Sequence, residues 1–353
     1  MRNHFSAIHL SKLEGFLGLL ILLPLAACTY ASSPRDVVGI VVGVEDFSTG
    51  RVSDVEVIDI TGTTLTSRSR NCADYVATYN AEAIELPSNT VFIGSLTISV
   101  ENDHCIFTSN AIPNHDMNDA NTFATPVSEQ HKVYRVTTSP QPNRQATALS
   151  PQYDNAVLLN GVKVDSLSGG CFTVRLGCRD ATIPWRYNAI SPLSFLKTDA
   201  HHAHTQPNGE YHYHGNPHAL FDDSDNSKVS PVIGFAADGF PIFGSYFDDN
   251  GNIRKALSSY QLKRGERPSG EGNPGGTYDG EFNDDYEYVE GAGDLDDCNG
   301  MTIDGIYGYY VTEDYPYVIV CYRGTPDNSF RKTGSGGQSR SPSGGGELHG
   351  GSQ

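Results

Sequence analysis

The sequence predicts a mainly β protein with long irregular loops, little helix and disulfide support. Three observations predict it. The 353 residues include 37 Gly and 19 Pro, with many Asn and Asp, which are turn formers, while Leu- and Lys-rich helical stretches are few. Short Val/Ile-rich runs recur along the chain, several with alternating apolar residues. Six cysteines follow Cys28, an even number suited to pairing in an oxidising compartment.

The elements follow in order. Residues 37–44 and 52–60 read as strands, the second with Val55 and Val57 on one face and Ile58 and Ile60 on the other. Residues 90–100 and 105–108 add two more, and 139–153 is a polar, Pro-rich loop. Residues 157–164 fold back at Asn160-Gly161, a hairpin signal. Residues 232–247 are apolar and interrupted by Asp238-Gly239; 307–320 is again strand-like. Weak helical patterns are confined to 180–187, 191–197 and 253–262. Residues 264–300 read as an exposed loop, and from Pro326 a Gly/Ser-rich tail lacks the apolar residues for a core.

The N-terminus predicts export. Arg2 and Lys12 precede an uncharged run over 16–27, too short to span a bilayer and of the length of a signal-peptide apolar region. It ends at Leu25-Ala26-Ala27-Cys28, which resembles a bacterial lipobox. That resemblance implies cleavage after residue 27, a lipid on Cys28 as membrane anchor and, with Thr29 following, placement at the outer membrane, the cell surface or the periplasm. The formal charge of −18 and the lack of a Lys/Arg cluster argue against nucleic acid as a partner. The cysteines are expected to pair as sequence neighbours: Cys72 with Cys105, Cys171 with Cys178, and Cys298 with Cys321. A thiolate metal site is the alternative, although no Cys-x-x-Cys spacing occurs.

Chemistry concentrates in one place. Six of the 12 histidines fall between His201 and His218. In Tyr211-His212-Tyr213-His214, read as a strand, the two Tyr share one face and the two His the other. Tyrosine is a large β-former, so its face belongs to the core and the His face to a ligand. Pro207-Asn208-Gly209 suits a three-residue hairpin loop with Gly in the left-handed position. That loop pairs Gln206 with Glu210, His204 with His212 and His202 with His214, and turns His201 the other way. A two-residue loop at Asn208-Gly209 would move His204 to the Tyr face. Imidazoles on one face suit a divalent transition metal, with Cu or Zn favoured. The alternatives are structural histidines and metal-free acid–base chemistry.

These residues, with Asp199, Ala203, Gly209 and Gly215 around them, resemble the signature of the YHYH-domain family. Residues 109–115, 159–162, 184–187, 233–244 and 295–300 resemble the same family in order, and the likeness covers roughly 90–324. It implies an exported bacterial domain of undetermined function and no reaction. The organisation expected is a signal peptide (1–27), a lipidated tether and β-rich segment (28–71), a YHYH-like domain (72–325) and a disordered tail (326–353). The family pattern ranks His204, His212 and His214 as metal ligands ahead of His201 and His202. Asp238 is a candidate carboxylate ligand or a turn residue, and His115 is a further candidate ligand.

A short internal echo aligns residues 304–310 with 208–214. It keeps a turn and both tyrosines and replaces the histidines by Gly308 and Tyr310. The acidic loops 222–226 and 248–252 could hold Ca²⁺ but lack full EF-hand spacing. Nine tyrosines between Tyr278 and Tyr322 could fill a core or face a glycan or peptide partner. Three functions stay open: a metal-binding surface lipoprotein, a metal-dependent extracytoplasmic enzyme (hydrolase or oxidoreductase), and a structural or adhesive module. A buried three-ligand pocket would favour the enzyme, and an exposed four-His face metal capture.

Overall fold

A computed structural model describes residues 40–45 and 52–332. The expected signal peptide, Cys28, the expected tether and the residues beyond 332 lie outside the described residues. Six strands form the first sheet in chain order: β1 (Ile40–Glu45), β2 (Val52–Asp59), β3 (Ala77–Glu85), β4 (Thr90–Glu101), β5 (His104–Ser109) and β6 (Lys132–Thr137). Only β2 and β3 run parallel. Along β3, buried residues alternate with more exposed ones, as in a strand covered on one side. Phe107 of β5 meets Phe235 of the second sheet edge-to-face at 6.1 Å.

The short strand β7 (Thr147–Ala148) leads into a second sheet of eight strands. Its members are β8 (Ala156–Leu158), β9 (Lys163–Val164), β10 (Ala203–Thr205), β11 (Tyr211–Tyr213), β12 (Val232–Ala236) and β13 (Pro241–Phe243). After two small hairpins, β14 (Tyr246–Asp249) with β15 (Asn252–Lys255) and β16 (Tyr260–Leu262) with β17 (Tyr286–Tyr288), come its last strands, β18 (Gly300–Ile303) and β19 (Ile306–Tyr310). Finally β20 (Cys321–Tyr322) pairs with β7. The eight-stranded order is β10-β11-β9-β8-β12-β13-β19-β18.

That order is an approximate twofold. Each half is an inner hairpin (β8–β9 or β12–β13) with an outer hairpin (β10–β11 or β18–β19) added in parallel at its side. The halves meet where β8 and β12 run antiparallel, with Val157 opposite Phe235. Details repeat. Asp199 Oδ1 accepts from the His201 and Ala203 amides; Asp296 Oδ1 accepts from those of Cys298 and Gly300. Tyr211 donates to Asp199 and Tyr307 to Asp296. The Tyr213 hydroxyl takes the Asn160 amide at 3.0 Å, and Tyr309 donates to Asp238 at 2.6 Å. The echo over 304–310 is therefore the second outer hairpin.

Three disulfides close as expected by neighbour pairing: Cys72–Cys105, Cys171–Cys178 and Cys298–Cys321. Other expectations are corrected. Among the described residues there is no α-helix, only three 3₁₀ turns, Cys72–Tyr75, Asn283–Asp285 and Asn328–Phe330. Residues 253–262 become strand because Asn250 and Gly251, both at positive φ, make the turn of β14–β15. In 180–187 and 191–197, Asp180, Ser191 and Ser194 bind amides two residues on, which competes with helix. Residues 264–300 are not simply an exposed loop: Phe282 and Asp285 are fully buried, and Arg267 pairs with Asp285. Order also extends past Pro326, where buried Phe330 stacks on Tyr134 at 4.5 Å.

Candidate metal centre

The site is built by the outer hairpin β10–β11. Gly209, at φ +81°, donates its amide to Gln206, and Gln206 donates to the Glu210 carbonyl. This is the three-residue loop over Pro207-Asn208-Gly209, and it sets His204 opposite His212. A two-residue turn, Asp304-Gly305, occurs instead at β18–β19. Turn chemistry thus fixes which face each histidine takes.

Three imidazoles converge. His212 Nε2 lies 3.0 Å from His214 Nε2, which lies 3.1 Å from His204 Nε2. A tetrahedral ion held at about 2.0–2.1 Å by imidazoles separates its ligand nitrogens by about 3.3 Å, so the cluster is already near coordination geometry. His212 and His214 are 3% and 4% exposed, and His204 is half-buried. Burial holds all three below the ordinary histidine range, His212 and His214 far below, so the rings are neutral.

The outer ring nitrogens settle the tautomers. His204 Nδ1–H donates to the Lys197 carbonyl at 2.9 Å, and His212 Nδ1–H to the Glu210 carbonyl at 3.3 Å. A carbonyl only accepts, so each Nδ1 carries the proton and each Nε2 presents a bare lone pair. His214 Nε2 sits within reach of both and can donate to only one of them. Such a cluster of neutral acceptors is a donor set for a cation, and imidazole nitrogen suits Zn or Cu over Ca. The chemistry and spacing of the residues therefore fit a transition metal.

Beside the triad lies a buried charge cluster that sequence reading missed. Lys163 stands opposite His212 on the neighbouring strand β9. Its ammonium, 1% exposed as a residue, lies 2.8 Å from Asp154 and 3.2 Å from Glu210. Lys132 reaches Glu210 at 2.7 Å, and Lys332 pairs with Asp165. Burial pushes the Asp154 carboxyl up, but Lys163, Lys132 and Lys332 outweigh it and hold the group below its usual range. The signal in the sequence was a lone lysine in an otherwise apolar hairpin, Lys163 between Val162 and Val164. Its partners come from positions far along the chain, which no local pattern reveals.

The other candidate residues lie elsewhere. His202 is in register with His214, whose amide donates to its carbonyl, but at φ +56° its ring turns to His218 and the Asn216 carbonyl. A four-His face does not form. Asp238 is 2% exposed and accepts from Tyr309 and from the Gly324 amide at 2.8 Å, the place Asn160 holds in the other half. His115 accepts from the Tyr213 hydroxyl at 2.6 Å and stacks on His201 at 3.8 Å, on the tyrosine side. Neither acidic loop brings three ligand groups together among the described residues; Asp222 and Asp225 bind Ser224 and Ser227, and Asp248 the Gly251 amide. A second possible donor group, Asp297, Cys298 and Cys321, has its two sulfurs joined to each other and so offers no thiolate.

The family model described as YHYH protein matches residues 133–324. The chain belongs to the YHYH family. The match contains the whole eight-stranded sheet and the triad of the YHYH hairpin, and leaves β1–β5 and His115 outside. No curated protein and no solved structure matches the chain.

Proposed function

We propose that this YHYH protein is an exported, lipid-anchored protein whose outer hairpin binds one divalent transition metal, zinc or copper, through His204, His212 and His214. The observation that carries the reading is the convergence of three neutral Nε2 atoms, two of them with the proton fixed on the far nitrogen. The sequence reading of an apolar leader ending at Cys28 supports the anchor and the outer-membrane placement.

The test is elemental analysis of protein purified without a His-tag, beside a His212→Ala/His214→Ala variant. About one zinc or copper per chain in the wild type, lost in the variant, is the expected outcome. Sub-stoichiometric metal in both after reconstitution overturns the proposal and favours a structural or adhesive module. Membrane fractionation tests the anchor: Cys28→Ser is expected to release the protein, and unchanged retention contradicts lipidation.

A second reading, a metal-dependent hydrolase or oxidoreductase, draws on the count of ligands. Three histidines rather than four, two of them buried, leave a tetrahedral ion one open position. Azide added to the Co(II)-loaded protein reads that position directly. A changed visible spectrum supports an open site, and an unchanged one favours a closed binding site.

A further inference from the structure

We propose that Asp165 is the carboxylate that completes the metal centre, by accepting the Nδ1 proton of His214. The inference rests on the metal-binding reading above and adds a positioning residue to it. Two of the three histidines already have their outer nitrogen held by a carbonyl. His214 is less well served: its Nδ1 is buried without a well-formed hydrogen bond, and it is the main chain of Asp165 that approaches its ring. Asp165 Oδ1 is likewise buried and without a partner, in a residue only 3% exposed. With Nε2 given to a cation, the single proton of the neutral His214 ring sits on Nδ1, and that buried donor then needs an acceptor of the kind Asp165 Oδ1 leaves unused.

The register brings them together. In the parallel pair of β9 and β11, Tyr213 faces Val164, and the Asp165 amide donates to the Tyr213 carbonyl. The next pair along is His214 with Asp165, which puts both side chains on the face shared by His212 and Lys163. The negative charge of Asp165 is also felt at His204. Its other oxygen, Oδ2, is held by Gln206 Nε2 at 3.2 Å and by Lys332, so the carboxylate is oriented and one oxygen is left over. Asp165 stands outside the group whose ligand atoms converge, so it acts through His214 and not on the ion. A carboxylate on the outer nitrogen fixes the tautomer, orients the ring and raises its basicity as a ligand.

Zinc competition titration with Asp165→Asn and Asp165→Glu tests this. Loss of such a partner lowers metal affinity about 10–100-fold. Asp165→Asn should fall by that factor, and Asp165→Glu should recover most of it. In wild-type protein, the ¹H–¹⁵N resonance of His214 Nδ1 should lie at the low-field position of a proton bonded to carboxylate and move in Asp165→Asn. A purely structural Asp165 would not move that resonance. Wild-type zinc binding with undiminished affinity in Asp165→Asn overturns this inference alone, as does an unmoved resonance. Failure of the wild type to bind zinc overturns the metal reading and this inference together.

Discussion

His204 lies directly opposite His212 across the β10–β11 hairpin, and the residue that enforces this is Gly209 at the turn. A Cβ at Gly209 would stand 2.6 Å from Ser128 Cβ and 2.7 Å from the Pro126 carbonyl oxygen, and φ is +81°. Gly209→Ala should therefore cost about 1–3 kcal/mol in urea denaturation and weaken zinc binding with it. Full stability and full affinity would show that the turn does not set the site.

Lys163 is fully buried and compensated by Asp154 and Glu210. Lys163→Met leaves Asp154 without its nearest cation and Glu210 with Lys132 alone, and breaking a buried pair on one side costs about 3–5 kcal/mol. Urea denaturation checks this, and a loss below about 1 kcal/mol, the scale of a surface pair, would mean that Lys132 and Lys332 suffice.

Asp238 accepts hydrogen bonds from Tyr309 and from the Phe240 and Gly324 amides and stands outside the histidine group. Asp238→Asn should keep the metal stoichiometry of the wild type, since asparagine holds the matching place at Asn160. Elemental analysis of the variant is the check, and loss of metal would restore Asp238 as a ligand.

The pH dependence of stability should carry the mark of His115. Burial, with the neighbouring His201, pushes its pKa down to about 3. Between there and the ordinary value of 6.5 the unfolded chain holds a proton that the native ring does not. Stability from this group is complete above pH 6.5 and is lost as the pH falls toward 3, by up to about 1.4 kcal/mol per pH unit. Asp238, raised by burial to about 6, acts oppositely between 6 and 3.8, so the wild type must be compared with a variant. His115→Gln should show a shallower fall between pH 6.5 and 4 in urea midpoints. Parallel curves would mean that His115 is not buried as a neutral ring.

What the sequence made legible was local. The Pro207-Asn208-Gly209 loop and the division of Tyr and His faces rest on contacts a few residues apart or on alternation along one strand, and the cysteines pair in chain order. What stayed hidden was long-range. Asp238 pairs with a tyrosine 71 positions away, and the Lys163 cluster draws on residues from Lys132 to Lys332. His202 follows the alternation in number but leaves it in space because its backbone is left-handed. The echo between 208–214 and 304–310 was visible as a string, but its meaning as the two outer hairpins of a twofold sheet required the strand order. In that comparison the tyrosines and their acidic or amide partners repeat, while His204, His212 and His214 become Met301, Gly308 and Tyr310. The repeated part supports the fold, and the unrepeated part is the histidine triad of the proposed metal centre.

X-ray absorption of the zinc- or copper-loaded protein tests that centre most directly. The account predicts three imidazole nitrogens at about 2.0–2.1 Å, reduced to one in His212→Ala/His214→Ala if any ion remains. Sulfur in the first shell, or the same imidazole count in both proteins, would contradict it.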